Sequence, residues 1–270
     1  MATPEQVIVG YNDAVYEVRR RVEAFARTMW GNAGSWRDSD IDRLVRLITP
    51  RVQAGQIRTA QLTAVYLASL ETIRTGQKVT PVPVDRELIL TARGVPAEDV
   101  YRRPAVTMYT ALAGGQPMAD ALQMGITRLT SLVATDHQLA KTHQARSSLT
   151  AGGHEYMRRT LTGRENCAMC AIASTQRYRV QELLPIHPGC DCGVDTLTGA
   201  GGQVLDSERL ELIHSAISSQ FGGTDREARL LDGGNDRSDF LDLIVTQEHG
   251  EYGPTLAWRD QHFTGPEDLN

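Results

Sequence analysis

Aromatic residues make up only 6% of this 270-residue chain. That scarcity argues against an aromatic-rich β-sandwich and for helices lined with Leu, Ile, Val and Ala. Lysine is nearly absent: Lys78 and Lys141 are the only two, so almost all positive charge is arginine. Planar, bidentate contacts suit arginine, although a GC-rich coding bias has the same effect on composition. No apolar run approaches the ~18 residues of a membrane span, and no membrane partner is expected. The opening MATPEQVIVGYNDAVYEVRRR lacks a basic stretch followed by an apolar block, so a secretory leader is not expected. Also missing are H-E-x-x-H, G-x-S-x-G and a Gly-rich phosphate loop. Ser147, Ser148, His137, His143 and His154 are scattered without the order of a hydrolytic triad, so no catalytic residue is assigned.

Hydrophobic residues account for 41% and charged residues for 23%, enough apolar material for a packed core. The length suits one large domain or two small ones. The formal net charge of −5 is unevenly placed: residues 1–146 carry +4, residues 147–200 are neutral and residues 201–270 carry −9. An acidic last quarter disfavours the whole chain as a sequence-specific DNA binder. It leaves room for a local phosphate-facing patch.

Val7, Tyr11, Val15, Val18, Val22, Phe25 and Met29 recur at three- and four-residue steps, which predicts one amphipathic helix ended near Gly31 and Gly34. Val15, Val18, Val22 and Phe25 are expected to be buried and are the candidate partner-binding stripe. Ser39 is the expected cap of a second helix, disturbed near Pro50. A third is expected from about Thr59 to Ile73, closed by Gly76. Residues 77–84 read as an extended linker, followed by short helical pieces around 85–93 and 96–101. Pro104 is expected to open a helix that Gly114 and Gly115 stop. Pro117 opens a long helix to about residue 147, with Arg128, Lys141 and Arg146 on its polar side and solvated His137 and His143. From 150 onward a short strand, a turn at Gly163, a loop and another short strand are expected, then a helix over 206–220 and an extended end. The fold class is therefore α+β: a mostly helical N-terminal half, a small Cys/His-containing α+β module and an extended C-terminal tail. The divisions are 1–76 (helical arm or bundle), 77–149 (linker and long helix), 150–205 (Cys/His module) and 206–270 (acidic helix and tail).

All four cysteines fall within residues 167–192: Cys167 and Cys170 as C-x2-C, then 19 residues, then Cys190 and Cys192 as C-x-C, with His187 just before. C-x2-C lets two thiolates of one turn face a common metal. A second cluster about 20 residues on is the arrangement of a zinc knuckle. Cys167, Cys170, His187 and either Cys190 or Cys192 would complete a tetrahedral zinc site. Two disulfides or reduced, buried thiols are the alternatives.

The stretch from Tyr156 to Cys170, followed by Ile186-His-Pro-Gly-Cys-Asp-Cys192, resembles the phage Mu F-type minor head proteins. Arg177 and Tyr178 sit between its two halves. Arg102-Arg103-Pro104 leading into a helix, and the ends His249–Pro254 and Phe263–Pro266, look like the versions found in phages of actinobacteria. Residues 150–205 are then the module shared with that family. The resemblance implies a low-copy minor capsid protein that associates with the portal protein and the major head protein. It implies a role in head morphogenesis and in DNA packaging or ejection, with packaged DNA a further candidate contact. Its place would be the virion, inside the head or at the portal vertex, and the host cytoplasm during assembly. A capsid maturation protease encoded next to the portal is the alternative.

Overall fold

In the computed structural model the described residues are 2–161, 168–174, 177–185, 192–196, 244–249 and 253–258. They fall into two compact units that divide between Ala145 and Arg146. Helices dominate the first and short strands the second, in agreement with the α+β class. No helix among the described residues is long and apolar enough to cross a membrane.

The first unit is built from α1 (Pro4–Gly31), α2 (Asp38–Thr75), α3 (Arg86–Leu90), α4 (Ala97–Ala113) and most of α5 (Met118–Ala151). Helix α1 starts where its chemistry dictates. Thr3 accepts from the Gln6 backbone, Gln6 reaches back to the Thr3 backbone, and Pro4 fills the first turn. Gly76 closes α2 at φ 70°, a conformation that glycine adopts without a Cβ penalty. Asp85 caps the short α3 through the Leu88 backbone N–H.

Three expectations are corrected. Ser39 is not the cap of α2: the helix begins at Asp38 behind Arg37. The second and third expected helices are a single one, which runs through Pro50. Pro104 does not open a helix but lies inside α4, whose cap is Pro96. An interior proline costs about 3 kcal/mol. Here Ile48 and Val52 flank Pro50, and Val100, Tyr101, Ala105 and Met108 flank Pro104, all buried in one apolar core. Burying a side chain of that size contributes about 1.5–3 kcal/mol, so two or three such residues outweigh one proline.

The α1 stripe is buried along a different line from the one expected. Tyr11, Val22, Ala26 and Trp30 are buried, whereas Val15, Val18 and Phe25 are half-buried. Ala26 is 0% exposed and lies in the apolar core. The Arg51 guanidinium lies over the Phe25 ring at 5.8 Å and covers it in part.

Trp30 is seated against Gly125 of α5. A Cβ at Gly125 would collide with Trp30 Cζ2 and lie 3.1 Å from the Pro104 carbonyl oxygen. Glycine to alanine inside a helix ordinarily stabilises by up to ~1 kcal/mol. Here the added methyl meets a rigid indole and a backbone oxygen. Gly125→Ala is therefore expected to destabilise by about 1–3 kcal/mol, read as a lowered urea midpoint. A raised midpoint would show that the indole can move aside freely.

The second unit contains β1 (Tyr156–Thr160), α6 (Ala168–Ser174), β2 (Arg177–Arg179), a 3-10 turn (Val180–Glu182), β3 (Gly193–Thr196), β4 (Ile244–His249) and β5 (Gly253–Trp258). An antiparallel sheet has the order β2-β1-β3, and β4 pairs with β5 as a separate hairpin. The extended end is thus a strand pair where a strand and tail were expected. The Pro185 carbonyl oxygen accepts from the Leu256 backbone N–H at 3.2 Å and from the Thr255 hydroxyl at 2.9 Å. These bonds tie the hairpin to the segment before β3. The turn at Gly163 and the helix over 206–220 lie outside the described residues.

Candidate functional site

Strand alternation sends Met157 and Arg159 of β1 to one face of the sheet, opposite Tyr178 of β2 and Val194 of β3. Tyr178 packs on a buried cluster of Met169, Cys170, Ala173, Cys192 and Leu256, with Leu161 and Trp258 beside it. Cys170 comes from α6, in the first half of the motif, and Cys192 stands immediately before β3, in the second half. They are 1% and 4% exposed. The fold therefore brings one thiol from each half into one small apolar volume. Cys167, His187 and Cys190 lie outside the described residues.

The surroundings of the two thiols are electropositive on one side. Arg159, itself 3% exposed, donates to Cys192 Sγ at 3.5 Å and to the Leu184 carbonyl oxygen. Its guanidinium lies 5.7 Å from the centre of the Tyr178 ring. Burial pushes the Tyr178 hydroxyl up to about 12; Cys192 and Cys170 add to the rise, and Arg159 opposes it. Both sulfurs belong to the cluster on which this ring packs.

Thiols are ligands that a soft metal such as zinc takes, and Cys170 and Cys192 bring one from each half of the spacing into this cluster. No group of three His, Cys, Asp or Glu that could hold a metal occurs among the described residues, and the three remaining candidates are outside them. Of the candidate stripe on α1, only Val22 is fully buried; Val15, Val18 and Phe25 keep part of their surface open.

A second polar centre, in the helical unit, was not expected from the sequence. Asp136 of α5 accepts from Arg93 Nε at 2.5 Å and from the Tyr101 hydroxyl at 2.5 Å, and Arg93 also donates to the Leu132 carbonyl oxygen at 3.2 Å. Burial, with the Asp136 charge, holds the Tyr101 hydroxyl well above its ordinary pKa. Arg128 is buried, and burial together with Arg103 and Arg93 brings it down to about 10. His137, expected to be solvated, is buried instead. Its Nδ1 shares a hydrogen bond with the Thr59 hydroxyl at 2.8 Å. Thr63 donates to the Thr59 carbonyl oxygen, which leaves Tyr11 to donate to Thr63 at 2.9 Å. Lys141 is buried too, so Arg128 and Lys141 do not mark an exposed polar side.

No protein-family model matches this sequence, and the searches of curated proteins and of solved structures return no match.

Proposed function

We propose that the chain is a phage minor head protein of the Mu F type, a structural protein that docks on the portal and serves head assembly and DNA packaging or ejection. The observation that supports this reading is the convergence of Cys170 and Cys192, one from each half of the motif, in one buried cluster. A module of 56 residues (150–205) builds only a small core of its own, and a staple would add to its stability. Zinc on Cys167, Cys170, His187 and one of Cys190 and Cys192 is the staple we favour, with disulfides as the alternative. In this reading the half-buried Val15, Val18 and Phe25, next to Val22, are the portal-facing stripe. The protein acts inside the head or at the portal vertex and is assembled there from the host cytoplasm.

The test is co-expression with the portal and the major head protein encoded beside it. The full chain is expected to co-purify with the portal and to leave the head protein intact. Metal analysis is expected to find zinc, and a chelator to lower the melting temperature, because binding free energy here is folding free energy. Cleavage of the head protein that is lost in His187→Ala would replace this reading with the maturation protease. Absence from portal-containing particles would overturn it.

A further inference from the structure

Side chains alternate along a strand, and residues paired across strands share a face. Tyr156 pairs with Arg179 and Arg158 with Arg177 across β1 and β2, while Arg158 pairs with Asp195 across β1 and β3. One face of the sheet therefore carries Tyr156, Arg158, Arg177, Arg179 and Asp195. It is the face opposite Arg159 and Tyr178, which serve the thiol cluster. The local sequence of residues 147–200 is electrically neutral, but the pleat concentrates three cations against one carboxylate.

That carboxylate is already engaged: Arg158 Nη2 lies 3.1 Å from Asp195 Oδ2, and the Asp195 side chain is 2% exposed. Arg177 and Arg179 form no ion pair among the described residues. Arg177 is held over the Tyr156 ring at 3.5 Å, a cation–π contact that fixes its direction. The Nε atoms of Arg158 and Arg177 are buried and have no hydrogen-bond acceptor among the described residues. Arg179 is exposed, and Arg158 and Arg177 are half-buried. Two residues apart on one strand, Arg177 and Arg179 stand about 7 Å from each other.

We propose that this face binds the phosphodiester backbone of nucleic acid and reads no bases. Guanidinium forks match phosphate oxygens in a bidentate way. Arg177 covers the Tyr156 ring, so that ring is closed to a stacking base. Contacts to phosphate alone position a protein on nucleic acid without sequence information. With a net charge of −5, the chain as a whole gains no long-range attraction. Binding is therefore local, modest and sensitive to salt. The proposal goes beyond portal docking and does not rest on it: either can fail while the other stands.

The experiment is fluorescence anisotropy of a labelled duplex with the full chain, titrated with salt. Arg177→Gln/Arg179→Gln is expected to weaken binding at least about tenfold at low salt. It should also reduce the slope of log K against log salt by nearly 2, at about 0.9 per phosphate contact. Arg43→Gln/Arg86→Gln changes the charge equally on the helical unit and is expected to leave binding nearly unchanged. Two duplexes of unrelated sequence should bind alike, and inorganic phosphate should compete only at far higher concentration. Circular dichroism checks folding, and the exposed single variant Arg179→Gln keeps the test valid if the double variant unfolds. No rise in anisotropy of the duplex with the wild type, an equal loss in the helical-unit control, or competition by polyglutamate as effective as by DNA would each overturn the proposal.

Discussion

Asp136→Ala is expected to destabilise the helical unit by about 3–5 kcal/mol, the range found when one partner of a buried ion pair is removed. The Arg93 and Asp136 side chains are 6% and 5% exposed and lie 2.5 Å apart. Deleting the carboxylate leaves the Arg93 guanidinium buried near two further cations, Arg103 and Arg128, both of which already feel its charge. The Tyr101 hydroxyl loses its acceptor at the same time. Tyr101→Phe removes only one donor to a charged group and should cost about 1.5–3 kcal/mol. The ordering Asp136→Ala worse than Tyr101→Phe separates a charge-centred network from plain packing. Urea denaturation followed by helical circular dichroism measures both. A midpoint for Asp136→Ala equal to the wild type would show that water or a rearranged side chain takes the carboxylate's place at no cost.

Acid is expected to weaken the same unit through His137. Burial, assisted by the Arg19 charge, holds its imidazole down at about 3, against an ordinary value of 6.5. In the unfolded chain the ring takes up a proton near 6.5, whereas the folded protein refuses it until about 3. Between those values the unfolded state binds more protons, so stability rises with pH. The contribution is complete above 6.5 and lost progressively down to 3, and at 1.36 kcal/mol per unit its full extent is about 4–5 kcal/mol. Carboxylates titrate in part of this window as well. The informative quantity is therefore the difference between wild type and His137→Leu. The variant is expected to lose less stability between pH 7 and pH 5, where few carboxylates respond. Parallel pH profiles for the two proteins would falsify the burial of a neutral imidazole.

The ring of His137 also explains a small residue on the facing helix. A Cβ at Gly55 of α2 would lie 2.8 Å from both His137 Cε1 and Nε2 and 2.9 Å from Val22 Cγ2. The imidazole is thus held by Thr59 on one edge and by the α2 backbone on the other. Nothing in the spacing of Gly55 or His137 announces this. The run Thr135-Asp136-His137-Gln138 reads in one dimension as a solvated helix face, yet every residue from Leu132 to Thr142 is buried.

Several features of this protein follow from residues acting on their immediate neighbours. Thr3 with Gln6, Gly76 and the glycine pair after Ala113 set helix ends, because capping and left-handed turns involve only a few consecutive residues. The division into a helical half and a strand-containing module followed from the change in composition near residue 150. The two short cysteine spacings predict a common centre; Cys170 and Cys192 share one cluster, and Cys167, His187 and Cys190 lie outside the described residues. Tertiary structure alone decided the rest. Whether Pro50 and Pro104 break their helices depends on the apolar area that distant helices bury on either side of them. Which line of α1 faces inward depends on where α2 and α5 offer a glycine. Asp136 and His137 are buried polar groups because Arg93, Tyr101 and Thr59, 35 to 78 residues away in the chain, arrive with matching donors and acceptors. The arginines of a neutral segment become a cationic face only once β1 and β2 pair in register, since alternation assigns each side chain its face only after pairing has fixed the sheet.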